Sequence, residues 1–349
     1  MNNSANYDYN GAKVLVTGGT SGIGYGIASA FAKAGAQVTV TGTRANADEY
    51  DDVDLSAFNF KRLKVQDTEA IKTLAAELDG LDILLDEMGK RDLKAVVFFS
   101  NNWEWSGGFQ QYLAWNNRVP KDKLTRKLTW DELRDVVAKF YDCEPCKKAY
   151  NAQLEFVMNR TNKVNGKKYI DDPTIMAWQL ANEPRAILSN WKYRKWIRNT
   201  AAFIKKLDPH HLVSIGSEGN AFVPFARKFV REHRIKNIDY ATMHIWIQNW
   251  GWYDPTKPDK SFDKSLTKAK KYIQKHIRLT QKLKMPVVLE EFGIARDLEN
   301  YDPTSPTTYR DLYYKEIFEL IYQSAKKGQP IAGANFWAWG GEGRPRTPK

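Results

Sequence analysis

The sequence has little sulfur and little imidazole, since its 349 residues include only two cysteines and five histidines. Cys143 and Cys146 are spaced C-x-x-C, which fits a redox pair, a local disulfide or half of a zinc site. A structural zinc site takes four ligands, and no second C-x-x-C or paired-histidine motif supplies the missing two. We therefore expect no metal site here, and a helix-capping turn whose cysteines are either oxidised or reduced.

Long hydrophobic runs are also absent. No apolar run is long enough to span a bilayer, and the N-terminal segment MNNSANYDYNGAK is polar and acidic, unlike a signal sequence. We therefore expect a cytoplasmic chain with no membrane partner.

Acidic residues are outnumbered, with 41 Asp and Glu against 53 Lys and Arg, so the formal net charge is +12. Such an excess is one signature of nucleic-acid binding. Here, however, basic and apolar residues alternate in stretches such as KSLTKAKKYIQKHIRLTQKLK, which is typical of the solvated face of an amphipathic helix. No nucleic-acid-binding motif accompanies them, and we expect no nucleic-acid partner. The sequence does not predict an oligomeric state.

Aromatic residues are plentiful, with 12 Trp, 17 Tyr and 16 Phe. They indicate either a heavy hydrophobic core or a stacking surface for flat ligands such as sugars or bases. Composition alone leaves both alternatives open.

A βαβ pattern begins at residue 12. AKVLVTGGTSGIGYGIASAFAKAGAQVTVTGTR passes from a Val-rich run through a glycine cluster to helical spacing and a second Val-rich run. Gly18, Gly22 and Gly24 lie between strand and helix, where the lack of a Cβ lets backbone amides approach a pyrophosphate. The pattern predicts a phosphate-binding turn.

This stretch resembles the opening of the short-chain dehydrogenase/reductase family, whose members bind NAD or NADP at a T-G-x-x-x-G-I-G turn. The resemblance implies that Gly18, Gly22, Ile23 and Gly24 contact the cofactor. Arg44 follows the second strand, where NAD-preferring members carry an acidic residue, so NADP is the implied cofactor.

The same resemblance ends at residue 85. DEMG, residues 86–89, stands where the family has N-N-A-G, and no Tyr-x-x-x-Lys occurs at the position of the family's catalytic pair. Without that pair, hydride transfer lacks its acid, so we expect no dehydrogenase activity. Binding of NADP stays a hypothesis.

From Lys94 onward, short apolar strands alternate with long helical patterns. Strands are predicted at KAVVFFS, TIMAWQLA, HLVSIGS, DYATMHIW, PVVLEEFG and GANFWAWG. Regular βα alternation of nearly all-apolar strands predicts a parallel sheet with right-handed crossovers. Polar and aromatic residues follow these strands, and in an α/β barrel the strand ends share one rim.

Glu183 and Glu291 are two of the residues at the strand ends, and Trp246 and Trp337 follow other strands. Glycoside hydrolysis requires one carboxyl group to protonate the leaving oxygen and a second to attack the anomeric carbon or activate water. Tryptophan faces stack against the apolar faces of sugar rings. The pattern therefore favours a glycosidase.

Six blocks, in order, resemble the β-mannanases of glycoside hydrolase family 5: NNWEWSGGFQQYLAW, YIDDPTIMAWQLANEPR, HLVSIGSEG, MHIWIQNWGW, PVVLEEFG and GANFWAWGGEGRP. The resemblance implies a retaining (β/α)8 barrel with Glu183 as acid/base and Glu291 as nucleophile, and hydrolysis without a cofactor. It further implies the substrate-binding residues Asn182, His244, Trp246, Trp337, Trp103, Arg185 and Trp250. The implied substrate is a β-mannan-type polysaccharide or oligosaccharide, and the family is usually secreted.

A retaining mechanism carries geometric expectations. The two carboxyl groups should lie about 5 to 5.5 Å apart, with the pKa of Glu183 raised beside an ionised Glu291. Because side chains alternate along a strand, Glu290 and Glu291 should face opposite ways, and only one should reach the cleft.

The resemblances to the reductases and to the mannanases overlap in residues 78–99, LDGLDILLDEMGKRDLKAVVFF. A reductase would fold GLDILL as a buried strand, whereas a mannanase would fold GLDILLDEMGKR as the helix before its third strand. We interpret the chain as a chimera of engineered or recombined origin. We divide it into a polar tail at 1–11, a reductase-like βαβαβ fragment at 12–85 and a barrel fragment at 86–349, merged into one domain.

The expected fold class is α/β, a (β/α) barrel-like parallel sheet in which Rossmann-type βαβ units replace the first barrel strands, giving eight or nine strands in total. The reductase part offers VLVTGG, VTVTGT and FKRLKV, and the last has the alternation of an edge strand. The missing first strands of the mannanase, with an Arg that holds the nucleophile, should reduce or abolish hydrolysis. The alternatives are a fold chimera without catalysis and a residual NADP-binding module.

Overall fold

Strands and helices alternate along the chain in a computed structural model that describes residues 9–17, 20, 22–63, 80–104, 107–120, 128–185, 190–219, 226–300, 302 and 304–337. The strands are β1 (Lys13–Thr17), β2 (Gln37–Gly42), β3 (Asn59–Arg62), β4 (Ala95–Phe98), β5 (Ile175–Gln179), β6 (Leu212–Ser214), β7 (Ala241–Ile245), β8 (Val287–Phe292) and β9 (Ile331–Ala334). The α-helices are α1 (Gly22–Lys33), α2 (Gly80–Lys90), α3 (Gly108–Trp115), α4 (Trp130–Ala138), α5 (Glu144–Met158), α6 (Asn190–Leu207), α7 (Ala226–His233), α8 (Pro258–Leu283) and α9 (Thr308–Lys326).

The strands within these residues form three parallel sheets in chain order, β1-β2-β3, β4-β5-β6 and β7-β8-β9. A parallel bridge between Ser214 and Tyr240 links the end of β6 to the residue before β7. The predicted α/β class with parallel strands is confirmed. The replacement of barrel strands by Rossmann-type units stays a prediction.

By its internal contacts the chain divides into two units, Met1–Leu84 and Leu85–Lys349. The first unit has a small core of Val16, Ala28, Val38, Val40 and Leu55. Its strand β3 pairs with β2 alone among the described strands and leaves most of its side chains exposed, as expected for an edge strand. The merged single domain stays a prediction.

The segment shared by both resemblances is helical, because Gly80–Lys90 forms α2 and the next strand begins at Ala95. Leu85 is fully buried, whereas Leu84 is 52% exposed. The helical alternative was therefore correct, and the reductase strand at GLDILL does not form.

Two hydrophobic clusters fill the second unit. One surrounds β5 and the helices α3 to α6, and the other lies between β7, β8, α8 and α9. Tyr150 on α5 donates a hydrogen bond of 2.6 Å to the carbonyl of Leu180, directly after β5. This contact fixes the strand end that carries Glu183.

The C-x-x-C pair lies at the start of α5. Cys143 and Cys146 form a local disulfide, and the Cys143 Sγ also accepts the backbone N–H of Cys146 at 3.2 Å. The expected helix-capping turn is confirmed, in its oxidised form.

The last strand, β9, differs from the predicted segment. It covers IAGA rather than GANFWAWG, so Phe336 and Trp337 lie beyond it and Trp339 falls outside the described residues.

Among the described helices, none combines the length and apolar character needed to cross a membrane.

Candidate active site

The chain bends sharply after β5, and this bend presents Glu183. Its φ of 50° is in the left-handed region, which a residue other than glycine adopts only when its surroundings hold it there. The N–H of Asn182 bonds the carbonyl of Ser100 at 2.8 Å, and the N–H of Glu183 bonds the carbonyl of Gly216 at 2.9 Å. Gly216 has no room for a Cβ, which would clash with the carbonyl of Ala181.

The Glu183 carboxylate is buried, with 6% of its side chain exposed. Its Oε2 accepts the indole N–H of Trp103 at 2.8 Å, and its Oε1 lies 2.7 Å from the Nδ1 of His244. Arg185 approaches Oε2 at 3.7 Å. Burial disfavours the charge, but these partners outweigh it and lower the pKa of Glu183.

Glu291, on β8, approaches the same side chain of His244. Its Oε2 is 3.5 Å from the same Nδ1, and its carboxylate also accepts a hydrogen bond from Trp246. Burial raises the pKa of Glu291, and the negative charges of Glu183 and Glu290 add to that effect. One carboxylate oxygen each from Glu183 and Glu291, with a ring nitrogen of His244, all lie within 4.8 Å of one another.

The expected rise in the pKa of Glu183 is wrong for the ligand-free chain. The pKa of Glu183 is lowered and that of Glu291 is raised, the reverse of an acid/base and nucleophile pair poised for the first step. The physical reason is the position of the imidazole, whose Nδ1 is closer to Glu183 than to Glu291.

His244 is enclosed by negative charge. Burial lowers the pKa of a histidine, but the carboxylates of Glu183, Glu290 and Glu291 raise the pKa of His244 well above its ordinary value.

The two adjacent glutamates both approach His244, at different ring nitrogens, and the expectation that only one of them reaches the cleft stays a prediction. Glu290 Oε2 lies 3.7 Å from Nε2 of His244, while Glu291 approaches Nδ1 of the same ring. The alternation fails because Met243 pairs with Leu289 but His244 pairs with Glu291, which leaves Glu290 as an extra residue in β8. Such a bulge re-aims side chains.

Other residues that the sequence predicts to bind substrate lie around the two carboxylates and His244. Arg185 lies over the Trp103 ring at 4.7 Å, and Trp246 meets Trp337 edge-to-face at 5.4 Å. Trp337 is 57% exposed, as a stacking surface would be. Asn182 donates to the side chain of Asn101 at 3.3 Å.

Trp250 takes part in a different set of ring contacts. It packs against Trp252 and Tyr272, beside the core between β7 and α8. Its role in substrate binding stays a prediction.

Sequence reasoning missed three polar residues of the site. The Glu218 carboxylate forms an ion pair with Arg185 at 2.7 Å, and burial raises the pKa of Glu218 to about 7. Gln179 and Tyr240 contact Glu290. Glu218 directly follows the block HLVSIGS, so its position at a strand end was visible, whereas the other two lie within or beside strands that read as core.

The end of β2 was expected to receive NADP. Gly22, Ile23 and Gly24 begin α1, and Gly18 lies outside the described residues. The Arg44 guanidinium lies 4.7 Å from the centre of the Tyr50 ring, and the Tyr50 hydroxyl accepts the N–H of Arg44 at 3.0 Å.

Tyr50 lies beside the end of β2. Its hydroxyl also hydrogen-bonds the side chains of Thr20 and Thr43, and a Cβ on Gly42 would clash with it. A dinucleotide enters at the carboxyl ends of the strands, between the first βα turn and the end of the second strand. Residues 18, 19 and 21 of that turn lie outside the described residues, and binding of NADP stays a prediction.

Comparison with known proteins completes the description of the site. The family model described as GH family 5 beta-mannosidase-like matches residues 67–349. The chain belongs to glycoside hydrolase family 5. A short chain dehydrogenase model also matches residues 12–106, so the two matches overlap across α2 and β4.

Relatives of this family 5 chain include plant and fungal proteins. It is 30% identical over 277 residues to mannan endo-1,4-beta-mannosidase 4 of Solanum lycopersicum, covering 76% of this chain. Mannan endo-1,4-beta-mannosidase 7 of Arabidopsis thaliana is 32% identical over 273 residues, covering 74% of this chain. The family 5 mannosidase of Rhizomucor miehei is 34% identical with a TM-score of 0.71, covering 88% of this chain and 73% of its own.

The family 5 chain is shorter than its plant relatives. It spans 64% of the Solanum lycopersicum protein and 58% of the Arabidopsis thaliana protein. Their activity is therefore carried over to it only as a proposal.

Proposed function

We propose that the chain hydrolyses β-mannosidic bonds with retention, using Glu183 as acid/base and Glu291 as nucleophile. The observation that carries the proposal is the separation of at most 4.8 Å between oxygens of the two carboxylates, at the ends of different parallel strands. This is close to the spacing of retaining enzymes and well below the roughly 6.5 to 9.5 Å of inverting ones.

The first step requires a proton on Glu183 and a charge on Glu291. In the ligand-free chain the lowered pKa of Glu183 disfavours that proton, and the nearest group to it is His244, whose Nδ1 lies 2.7 Å from Glu183 and 3.5 Å from Glu291. The Glu291 carboxylate then bonds the anomeric carbon as the glycosidic bond breaks, and the leaving oxygen takes the proton of Glu183. Water, deprotonated by Glu183, releases the sugar in the second step.

A β-mannan-type polysaccharide or oligosaccharide is the proposed substrate. The plant relatives are named for endo-1,4-β-mannan cleavage, and a variant of the Rhizomucor miehei mannosidase was crystallised with mannosyl-fructose. The exposed Trp337 and its neighbour Trp246 provide aromatic faces beside Glu291 on which a sugar ring can stack. Hydrolysis needs no cofactor.

We further propose that the chain is a chimera whose reductase-type strands stand in for the missing first barrel strands. The overlapping family matches at 12–106 and 67–349 support this origin. Because the first barrel strands of the mannanase, with an Arg that holds the nucleophile, are missing in this interpretation, we expect activity below that of a complete mannanase.

The test is release of reducing ends from β-1,4-mannan and from short β-1,4-mannooligosaccharides. We expect activity in the wild-type chain and losses of at least about a hundredfold in both Glu183→Gln and Glu291→Gln. Glu319→Gln, which changes an exposed glutamate on α9, is the matched control. No release by a folded wild-type chain, or release by both site variants equal to that of the wild type, would contradict the proposal and favour a fold chimera without catalysis.

A further inference from the structure

Glu290 lies beneath the catalytic cluster because of the extra residue in β8. The pairing of β7 with β8 passes from Met243–Leu289 directly to His244–Glu291. Glu290 therefore has no partner residue on β7, and its side chain turns toward the imidazole instead of away from it.

Its carboxylate is held in place by uncharged neighbours. The Gln179 amide lies 2.9 and 2.7 Å from the two oxygens, and the Tyr240 hydroxyl lies 3.4 Å from one of them. The same amide lies 3.2 Å from the Ser214 hydroxyl, and 10% of the Glu290 side chain is exposed. The negative charge is therefore fixed in position.

The Glu290 carboxylate faces Nε2 of His244, the ring nitrogen that lies away from Glu183 and Glu291. Nε2 lies 3.7 Å from Glu290 Oε2 and has no hydrogen-bond partner within the residues that the structure describes. Nδ1 is shared between Glu183 and Glu291. The other charged groups nearby are Arg185, which approaches Glu183, and Glu218, which pairs with Arg185 and accepts the backbone N–H of His244 through its carbonyl.

We propose that Glu290 is a positioning residue that keeps His244 protonated and thereby sets which of Glu183 and Glu291 carries the proton used in hydrolysis. The consequence of Glu290 for hydrolysis rests on the proposed function, whereas its effect on the protonation of His244 does not. Without the charge beneath Nε2, His244 loses its proton more easily, and Glu183 loses the cation that favours its ionised form. Glu291 loses the same cation together with the like charge of Glu290, and the cation has the larger effect on its pKa. The change that favours the first step is therefore the one at Glu183.

The direct test follows the titration of His244 by NMR in the full chain labelled with ¹³C at histidine Cε1. The signal is assigned by its absence in His244→Gln. We expect His244 in the wild type to stay protonated above the range of an ordinary histidine, and in Glu290→Gln to titrate about one to three pH units lower. Glu319→Gln should leave the titration unchanged, and Glu290→Asp, which keeps the charge, should restore much of the wild-type behaviour.

An unchanged titration in a folded Glu290→Gln variant would overturn the inference. Where that variant shows no cooperative thermal transition, Glu290→Met replaces it in the same measurement, with the same shift expected. If the wild type proves inactive on mannosides, the proposed function fails while the titration still decides the role of Glu290.

A kinetic readout separates positioning from simple structural support. The alkaline limb of the pH profile of kcat/KM in Glu290→Gln should move to higher pH, because Glu183 keeps its proton to higher pH when His244 is neutral. A fall in kcat with both limbs in place would count against the inference.

Discussion

At the residue scale, the two ring nitrogens of one imidazole lie close to three carboxylates. His244 is 1% exposed, with Glu183 and Glu291 at Nδ1 and Glu290 at Nε2. The protonation of the site therefore depends on distances of a few tenths of an ångström. The identities of Glu183 and Glu291 could be proposed from sequence blocks, but their relative pKa could not, because it depends on which of them lies nearer to His244.

Trp103 offers a test of how Glu183 is held. Trp103→Phe keeps the ring but removes the N–H that bonds Glu183 Oε2 at 2.8 Å, so the pKa of Glu183 should rise. A hydrogen bond to a charged group contributes about 1.5 to 3 kcal/mol, which corresponds to a shift of about one to two pH units. We expect the alkaline limb of the kcat/KM profile to move up by that amount.

Trp130→Phe is the matched control, because Trp130 meets the Trp103 ring edge-to-face at 5.2 Å on its outer side and is 68% exposed. An unchanged alkaline limb in Trp103→Phe, or an equal shift in both variants, would show that the indole hydrogen bond does not tune Glu183.

Glu232 makes stability depend on pH. Burial raises its pKa to about 7, against opposing charges on Lys228 and Arg194, and its Oε1 has no hydrogen-bond partner among the described residues. The unfolded chain ionises this group near pH 4.5 and the folded chain only near pH 7, so stability is lost as pH rises through this interval. The loss amounts to about 3 kcal/mol.

Glu232→Gln stays neutral and should escape that loss. Urea unfolding should find the variant more stable than the wild type at pH 8, by up to about 3 kcal/mol, and the difference should shrink or vanish at pH 4. A difference of the same size at both pH values would rule out ionisation as its cause.

At the scale of elements, α2 and β8 are the two places where local patterns misled. GLDILL has the composition of a buried strand, but Lys90 lies 2.7 Å from Asp86, and Arg91 contacts Glu87. Pairs four residues apart meet on a helix and not on a strand, so this spacing was the available signal. The bulge at Glu290 had no such signal, because it arises from pairing with β7.

The burial of α2 can be tested with neighbouring leucines. Leu85→Ala removes a fully buried side chain and should lower the free energy of unfolding by about 2 to 5 kcal/mol. Leu84→Ala changes a side chain that is 52% exposed and should cost well under about 1 kcal/mol. Denaturant unfolding of both variants checks this, and equal costs would contradict the orientation of the helix.

At the scale of the whole molecule, the alternation of apolar strands and amphipathic helices was enough to predict parallel α/β sheets, and all nine expected strands occur in the described residues. Their bounds were less predictable, as β9 at IAGA shows. Whether the reductase-type strands complete a barrel depends on long-range packing that no local pattern encodes. The merged-domain prediction expects one cooperative thermal transition, and two separate transitions would contradict it.

The central claim is that Glu291 attacks the sugar while Glu183 serves as its acid/base. The most direct measurement is the mass of the intact chain after incubation with 2-deoxy-2-fluoro-β-mannosyl fluoride, followed by fragmentation of the labelled peptide. The account predicts one fluoromannosyl group per chain, esterified to Glu291 as fluoride leaves, and none in Glu291→Gln. A folded wild-type chain that gains no mass, or that carries the label on Glu290 or Glu183, would contradict it.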